Sequence, residues 1–286
     1  MHSNSIPITQ PWSLAIEGFI THLKASGAPA TTLRARREQL QHLARRAPAD
    51  PWSLTADELL AYFADQTWQT ETRRGRRSCF SMFWKWGKRV HGAKNIAKHL
   101  PKVKPAAPSP MPVPPPVYEA AMRRADQRTK LILRMAHDAG MRRGEIAVSA
   151  SWDLVQDFVG WSLVVHGKGG KTRMVPLTPR LAFELLALGE GYFFEGAIDG
   201  HLSPRRISEL AADVLDAPWT IHKLRHRFAT DLLDAVGGDL LTVQEACGWA
   251  KADTARHYIP VPLDKIRQGI YRAREVEPLR AVEATA

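Results

Sequence analysis

The sequence predicts a mainly α-helical protein of two domains. The first domain is helical. The second is mixed, mostly helical with a small antiparallel three-stranded sheet. Three observations predict this. Apolar residues recur at helical spacing through the first hundred positions. Eight prolines crowd the stretch from Pro101 to Pro116, where they exclude helix and central strand. Between Ser151 and Leu177 the pattern changes to short apolar runs separated by glycine-containing turns.

In order, Met1 to Pro11 reads as a disordered N-terminus, and residues 12–103 as the helical domain. Ser13 is placed to cap a helix with Ile16, Phe19, Ile20 and Leu23 on one face, stopped by Gly27. Thr31 or Thr32 opens a second helix carrying Leu33, Leu40 and Leu43, with Arg34, Arg37 and Arg45 on the opposite face. Thr55-Ala-Asp-Glu58 is a capping-box pattern ahead of Leu59, Leu60 and Phe63. A fourth helix begins near Thr70. It carries Arg73, Arg74, Arg76 and Arg77, then Phe80, Phe83 and Trp84 as core. The proline-rich stretch is read as an extended, semi-stiff linker over 104–116. In the second domain, taken as 117–274, Ala120 to Asp138 reads as one helix ending at Gly140. Trp152–Val155, Trp161–Val165 and Thr172–Leu177 read as three strands, joined by turns at Asp157–Gly160 and Gly167–Gly170. Helices return from Arg180. Residues 275–286 read as a disordered tail.

Charge is unevenly placed. The chain carries a net +11, and Met1 to Val103 holds 16 Lys and Arg against 7 Asp and Glu. The remainder holds 24 against 22. That asymmetry points to the first domain as an electrostatic surface for a polyanion, with Arg34, Arg37, Arg73, Arg74, Arg76 and Arg77 as its contacts. Lys171 and Arg173 beside the second turn are assigned the same role. No run of about 18 apolar residues exists, so no membrane span is expected. No secretory signal is visible. The only cysteines, Cys79 and Cys247, suggest a reducing cytoplasm without a disulfide framework.

The chemistry lies in a series of short strings: Gly-Met-Arg142-Arg-Gly-Glu145, Gly-Lys168-Gly-Gly-Lys, His222-Lys-Leu-Arg225-His, Gly-Trp249 and Tyr258. Two arginines can grip the oxygens of a phosphate. A lysine and a histidine can move protons, and a tyrosine can form a covalent phosphoester. Fixed cations can stabilise the developing charge without a metal ion or other cofactor. The string Gly-Gly-Lys-Thr is not a nucleotide-binding loop, because Val165 stands where the first glycine belongs and a strand follows.

In this order and spacing the strings resemble the active site of the tyrosine recombinases, also called the phage integrase family. The resemblance covers about Pro116 to Arg274, and the first domain is similar to the family's core-DNA-binding domain. It implies that Arg142 and Arg225 clamp the scissile phosphate, with Arg142 rather than Arg143 matching the family pattern. It implies that Lys168, rather than Lys171, protonates the leaving 5′ oxygen, and that His222 assists proton transfer. Glu145 would support the site by internal pairing, and Tyr258 would be the nucleophile. Trp249 stands where many members have histidine. Its indole can donate one hydrogen bond but accept no proton, which leaves acid–base duty on His222 and Lys168. His226 is expected to be packed or to orient its helix.

The resemblance further implies a 3′-phosphotyrosine intermediate, a homotetramer on double-stranded DNA core sites, and a Holliday junction. Leu263, Ile266, Ile270 and Tyr271 are spaced to dock on a neighbouring protomer or on their own domain. A short phage or mobile-element integrase is favoured over a chromosome-dimer resolvase, with host or phage accessory proteins as further partners. The first helix begins so early that no arm-site domain is expected ahead of it. The expected location is the cytoplasm of a bacterial host, at the nucleoid. Two other readings are a type IB topoisomerase-like enzyme and a non-catalytic DNA-binding regulator.

Overall fold

The computed structural model describes residues 6–105, 111–167 and 170–249. The chain divides into two compact units, 1–107 and 108–286.

The first unit is built from α1 (Gln10–Ala25), α2 (Ala30–Ala44), α3 (Ala56–Ala64) and α4 (Thr70–His91), followed by a 3-10 turn at Ile96–His99. α1 begins at Gln10, not at Ser13, with Pro11 in its first turn, where a missing N–H leaves no bond unmade. Residues 10 and 11 are therefore helical, and the Ile6 carbonyl accepts a bond from Arg45 Nε at 3.2 Å. α2 starts at Ala30, one residue ahead of Thr31. The capping box of α3 forms as its sequence requires: the Thr55 hydroxyl accepts the Glu58 N–H, and the Glu58 carboxylate accepts the Thr55 N–H. Aromatic packing dominates the core. Phe83 lies between Trp52, stacked at 5.3 Å, and Trp12, stacked at 5.9 Å. Phe80, Phe83 and Trp84 are all buried, whereas Leu60 is exposed.

The second unit contains α5 (Pro115–Arg124), α6 (Gln127–His137), α7 (Arg143–Val148), β1 (Leu154–Gln156), β2 (Trp161–His166) and β3 (Thr172–Pro176). It continues with α8 (Pro179–Leu186), β4 (Glu195–Ile198), α9 (Pro204–Ala212), α10 (Ile221–Ala235) and α11 (Leu240–Cys247). Pro115 and Pro116 belong to the first turn of α5 rather than to the linker, because that turn needs no N–H from them. The single helix expected over Ala120–Asp138 is two helices. The chain turns extended at Ala125, and the Asp126 carboxylate restarts it by accepting the Thr129 N–H at 2.7 Å.

The three strands form one antiparallel sheet in the order β1-β2-β3, with Leu163 paired to Leu154 and to Val175. Trp152 lies in a 3-10 turn ahead of β1, not in the strand. Asp157 rigidifies the first turn by accepting the N–H groups of Val159 and Gly160. β4 was not foreseen; it bridges to His201 and stays outside the sheet. α6 runs through the core, with Leu131, Ile132, Leu133, Met135 and Ala136 all buried. A smaller cluster of Ala229, Leu233, Val243 and Cys247 joins α10 to α11. No helix among the described residues is long and apolar enough to cross a membrane.

Candidate active site

The site is organised around one carboxylate. After α6 the chain turns at Gly140, which has φ +59°; a Cβ there would lie 2.3 Å from the Phe228 ring. The turn delivers Arg142 to the N-cap position of α7, and Glu145 reaches back to accept the Arg142 N–H at 2.9 Å. Glu145 is 5% exposed. Its carboxylate accepts Arg142 Nη1 at 2.6 Å and both Arg173 Nη atoms at 3.0 and 2.8 Å. Arg225 Nη1 lies 3.8 Å away. Burial pushes the Glu145 carboxyl up. The hydrogen bonds from Arg173 and from the Arg142 backbone outweigh burial and hold it below its ordinary value. Three guanidinium charges thus meet a single negative charge.

Arg142 keeps an open face, with 36% of its side chain exposed, and its Nη2 donates to the Gly248 carbonyl at 3.1 Å. Gly248 caps α11 in the left-handed conformation at φ +56°. Arg225, on α10, is only 1% exposed. Its two terminal nitrogens donate to the carbonyls of Gly140 and Cys247. Burial pushes its pKa down to about 10, so it remains charged at neutral pH. It lies 5.9 Å from the Trp249 ring, which packs against the α10–α11 cluster. Arg225 is therefore a charge at the floor of the site, whereas Arg142 faces outward.

His222 lies one turn ahead of Arg225 on α10 and keeps an exposed edge. Burial, then Arg225, Arg142 and Arg143, holds its pKa below the ordinary value and so favours the neutral ring. A neutral imidazole can take a proton. His226 stands edge-on to it at 4.5 Å and is pushed down to about 4, first by burial, then by His222, Arg225 and Lys223. Its packed position agrees with the role expected for it.

Arg173 was expected on a DNA-facing surface and is not there. Its side chain is 6% exposed, and its Nε donates to the Ala246 carbonyl at 3.0 Å while both Nη atoms serve Glu145. Lys171 at the same turn is exposed. Lys168 and Tyr258 lie outside the described residues, as do Leu263, Ile266, Ile270, Tyr271 and the tail from Glu275. Among the described residues no group of three His, Cys, Asp or Glu side chains could hold a metal ion.

The arginines of the first unit divide sharply. Arg73 donates to the carbonyls of Phe63 and Gln66 and covers the Phe63 ring, so it closes the end of α3. Arg77 donates to the Leu100 carbonyl at 3.2 and 3.3 Å. Arg76 lies 4.3 Å over the Trp68 ring, with Nε and Nη1 buried. These three, expected as phosphate contacts, are fastened by bonds and stacking within their own unit. Their bonds run to carbonyls that helix spacing alone does not reveal. Arg74 is exposed and pairs with Glu71; Arg34 pairs with Glu38, and Arg37 with Glu17. Arg36, Arg74, Arg77 and Lys102 line one open groove of about 540 Å³ around Gly75 and Ser78. Arg36 and Lys102 were not singled out from the sequence. The charge excess of this unit was the only signal for them.

The profile of the phage integrase family matches residues 202–262, which carry α9, α10, α11 and Tyr258. The tyrosine recombinase XerC of Chromobacterium violaceum is 28% identical over 91% of this chain and 96% of that protein. These matches make the chain similar to the tyrosine recombinases. The tyrosine recombinase XerC of Bradyrhizobium diazoefficiens is 33% identical over 61% of this chain and 59% of its own length. XerC of Mesorhizobium japonicum is matched over 47% of its length, so the chain spans about half the length of these last two relatives. A lambda integrase dimer bound to a core site is similar to this chain in fold, with a TM-score of 0.70 at 16% identity. That match covers 94% of this chain and 80% of the integrase.

Proposed function

We propose that this protein is a tyrosine recombinase, which cuts and rejoins DNA at specific sites through a 3′-phosphotyrosine at Tyr258. The observation that carries the reading is the convergence of Arg142, Arg173 and Arg225 on the single buried carboxylate of Glu145. A cluster with more positive than negative charge, held rigidly and partly shielded from water, suits an anion that gains charge during reaction.

Tyr258 Oη attacks phosphorus and its proton passes to His222. The bond from phosphorus to the 5′ oxygen breaks, and Lys168 protonates the leaving oxygen. Arg142, with its open face, meets the non-bridging oxygens directly. Arg225 acts from the floor through its field. The phosphoester keeps the bond energy, so a free 5′ hydroxyl of a partner strand reverses the reaction without ATP. Four protomers on two duplexes would pass through a Holliday junction, with accessory proteins of host or phage as further partners. In the first unit the basic groove of Arg36, Arg74 and Lys102 supports a duplex contact. A short phage or mobile-element integrase, acting at the nucleoid, remains our assignment within the family.

The test is covalent capture. The full chain is incubated with DNA of its source cell, and the protein-linked fragments are sequenced to give the core site. The wild type is expected to yield discrete sites. Tyr258→Phe, which keeps the ring and loses the nucleophilic oxygen, is expected to bind the same DNA and yield no adduct. An adduct that survives in Tyr258→Phe would remove Tyr258 from this role.

A further inference from the structure

The carboxyl end of α11 is closed by the site's own arginines. A helix leaves its last carbonyls without partners. Two of them are served locally, because the Gly248 N–H donates to the Glu245 carbonyl at 2.9 Å and the Trp249 N–H to the Gln244 carbonyl at 3.0 Å. The next three carbonyls in the chain each take a guanidinium. Arg173 Nε donates to Ala246 at 3.0 Å, Arg225 Nη2 to Cys247, and Arg142 Nη2 to Gly248 at 3.1 Å. The negative end of a helix suits such partners. Arg173 differs from the other two. All three of its side-chain nitrogens are engaged, Nε by Ala246 and both Nη atoms by Glu145. Its side chain is buried, so no face of it is left for a phosphate. The two anchors of the Arg142 guanidinium are the Glu145 carboxylate and the Gly248 carbonyl. Arg173 holds the first directly and the second through the end of α11. The fit there is close, because a Cβ on Gly248 would lie 2.9 Å from Arg173 Cδ.

We propose that Arg173 is a positioning residue, which aims the Arg142 guanidinium at the non-bridging oxygens of the scissile phosphate by locking both of its anchors. This rests on the reading of Arg142 as a phosphate clamp. Arg173 itself touches no reacting atom. Its planar fork spans both oxygens of one carboxylate while its Nε reaches an acceptor on another element, a geometry that a lysine ammonium does not reproduce. A lysine there keeps positive charge against Glu145 and lets the end of α11 drift. Misplacement on the scale of 1 Å is enough to slow a reaction by up to about 100-fold.

The experiment uses the full chain and the captured core site as a nicked duplex, in two forms. One has the ordinary scissile phosphodiester. The other has a methylphosphonate there, in which a methyl group replaces one non-bridging oxygen and removes its charge, so the need for an aimed cation falls. Single-turnover strand cleavage is measured for wild type, Arg142→Ala, Arg173→Lys, Gly248→Ala and the double variant Arg142→Ala/Arg173→Lys. Each variant is compared with wild type on the same substrate. Arg173→Lys is expected to be about 10-fold or more slower on the phosphodiester and within about 3-fold of wild type on the methylphosphonate. Arg142→Ala should show the same pattern more strongly. The double variant should be no slower than Arg142→Ala alone, since a residue that acts through another adds nothing once that other is gone. Gly248→Ala leaves every charge in place and presses a methyl group against Arg173, so it should follow Arg173→Lys. It also carries the test if Arg173→Lys does not fold. Equal slowing of these two variants on both substrates, with Arg142→Ala rescued, would overturn the proposal and leave Arg173 a structural residue. Wild-type rates for both on the phosphodiester, or a double variant slowed by the product of the single effects, would overturn it as well. If Arg142→Ala were itself not rescued by the methylphosphonate, the reading of Arg142 as a phosphate clamp would fail, and that control shows this separately.

Discussion

The two units handle arginine in opposite ways. In the first, arginines are frequent along α4, yet Arg73, Arg76 and Arg77 are each spent on a different carbonyl or ring of their own unit. In the second, Arg142, Arg173 and Arg225 come from α7, β3 and α10 and converge on Glu145. Density of charge along the chain therefore marks glue in one unit, and convergence of charge in space marks the candidate site in the other. An arginine bonded to a carbonyl keeps its charge, but scattered partners leave such charges spread over the unit rather than gathered at one point. Three arginines sharing one carboxylate leave an excess that an anion can complete.

The sharpest way to break this comparison is Glu145→Gln. It removes the shared charge and leaves guanidinium groups buried against one another. Loss of one partner from a buried ionic cluster costs about 3–5 kcal/mol. Urea unfolding is expected to show that loss in the second unit alone, and a change below about 1 kcal/mol would mean that the cluster is solvated rather than buried. Next comes Arg142→Ala, expected to slow single-turnover cleavage about 100-fold with small change in stability, as for loss of one charge-stabilising donor. Arg225→Ala should lower both, since Arg225 also serves the carbonyls of Gly140 and Cys247. If Arg142→Ala also unfolded the protein, its open face would not distinguish it from Arg225.

Among the described residues, each unit also holds one histidine that burial pushes down to about 4, His42 in the first and His226 in the second. A folded pKa below the unfolded value of about 6.5 means that the unfolded chain binds more protons between these limits. Stability is then complete above about pH 6.5 and falls as pH drops toward 4. After discounting for partial exposure, the expected loss is about 1–3 kcal/mol for each histidine. His226→Gln should flatten this loss in the second unit and His42→Gln in the first, as followed by urea unfolding at stepped pH. An unchanged slope in both variants would mean that neither ring is neutral in the fold.

The smallest effects separate neighbours on α4. Arg73→Ala is expected to cost about 1–2 kcal/mol, because two carbonyls lose a charged donor. Arg74→Ala should change stability by less than about 0.5 kcal/mol, since its pair with Glu71 is exposed. In DNA binding the order should reverse. Arg74→Ala with Lys102→Ala is expected to flatten the dependence of log affinity on log salt by about 0.9 for each phosphate no longer neutralised. An unchanged slope would move the duplex-binding surface away from the basic groove.

Much of the local structure was legible in the sequence because its causes are local. Thr55 and Glu58 are three residues apart, so their capping box can be read directly. The alternation of Leu163, Val165, Arg173 and Val175 sets which face of the sheet is buried, and Asp157–Gly160 announces its turn. The break at Ala125–Asp126 was missed because apolar spacing continues across it; only the carboxylate of Asp126 marks the restart. Pro115 and Pro116 misled in the other direction, since a proline forbids the interior of a helix but not its first turn.

By itself, then, the chain's sequence determined two domains, the helices and sheet that periodicity dictates, and the identity of Arg142, Glu145, His222 and Arg225 as one set. It could not show what the charged side chains face. Arg173 is 28 residues from Glu145, and Arg225 is 85 from the Gly140 carbonyl it holds. Bonds over such separations exist only once the chain has folded, because folding alone brings those atoms together. That is why the tertiary structure turned Arg173 inward, fastened Arg73 and Arg77 to carbonyls, and left Arg142 with an open face.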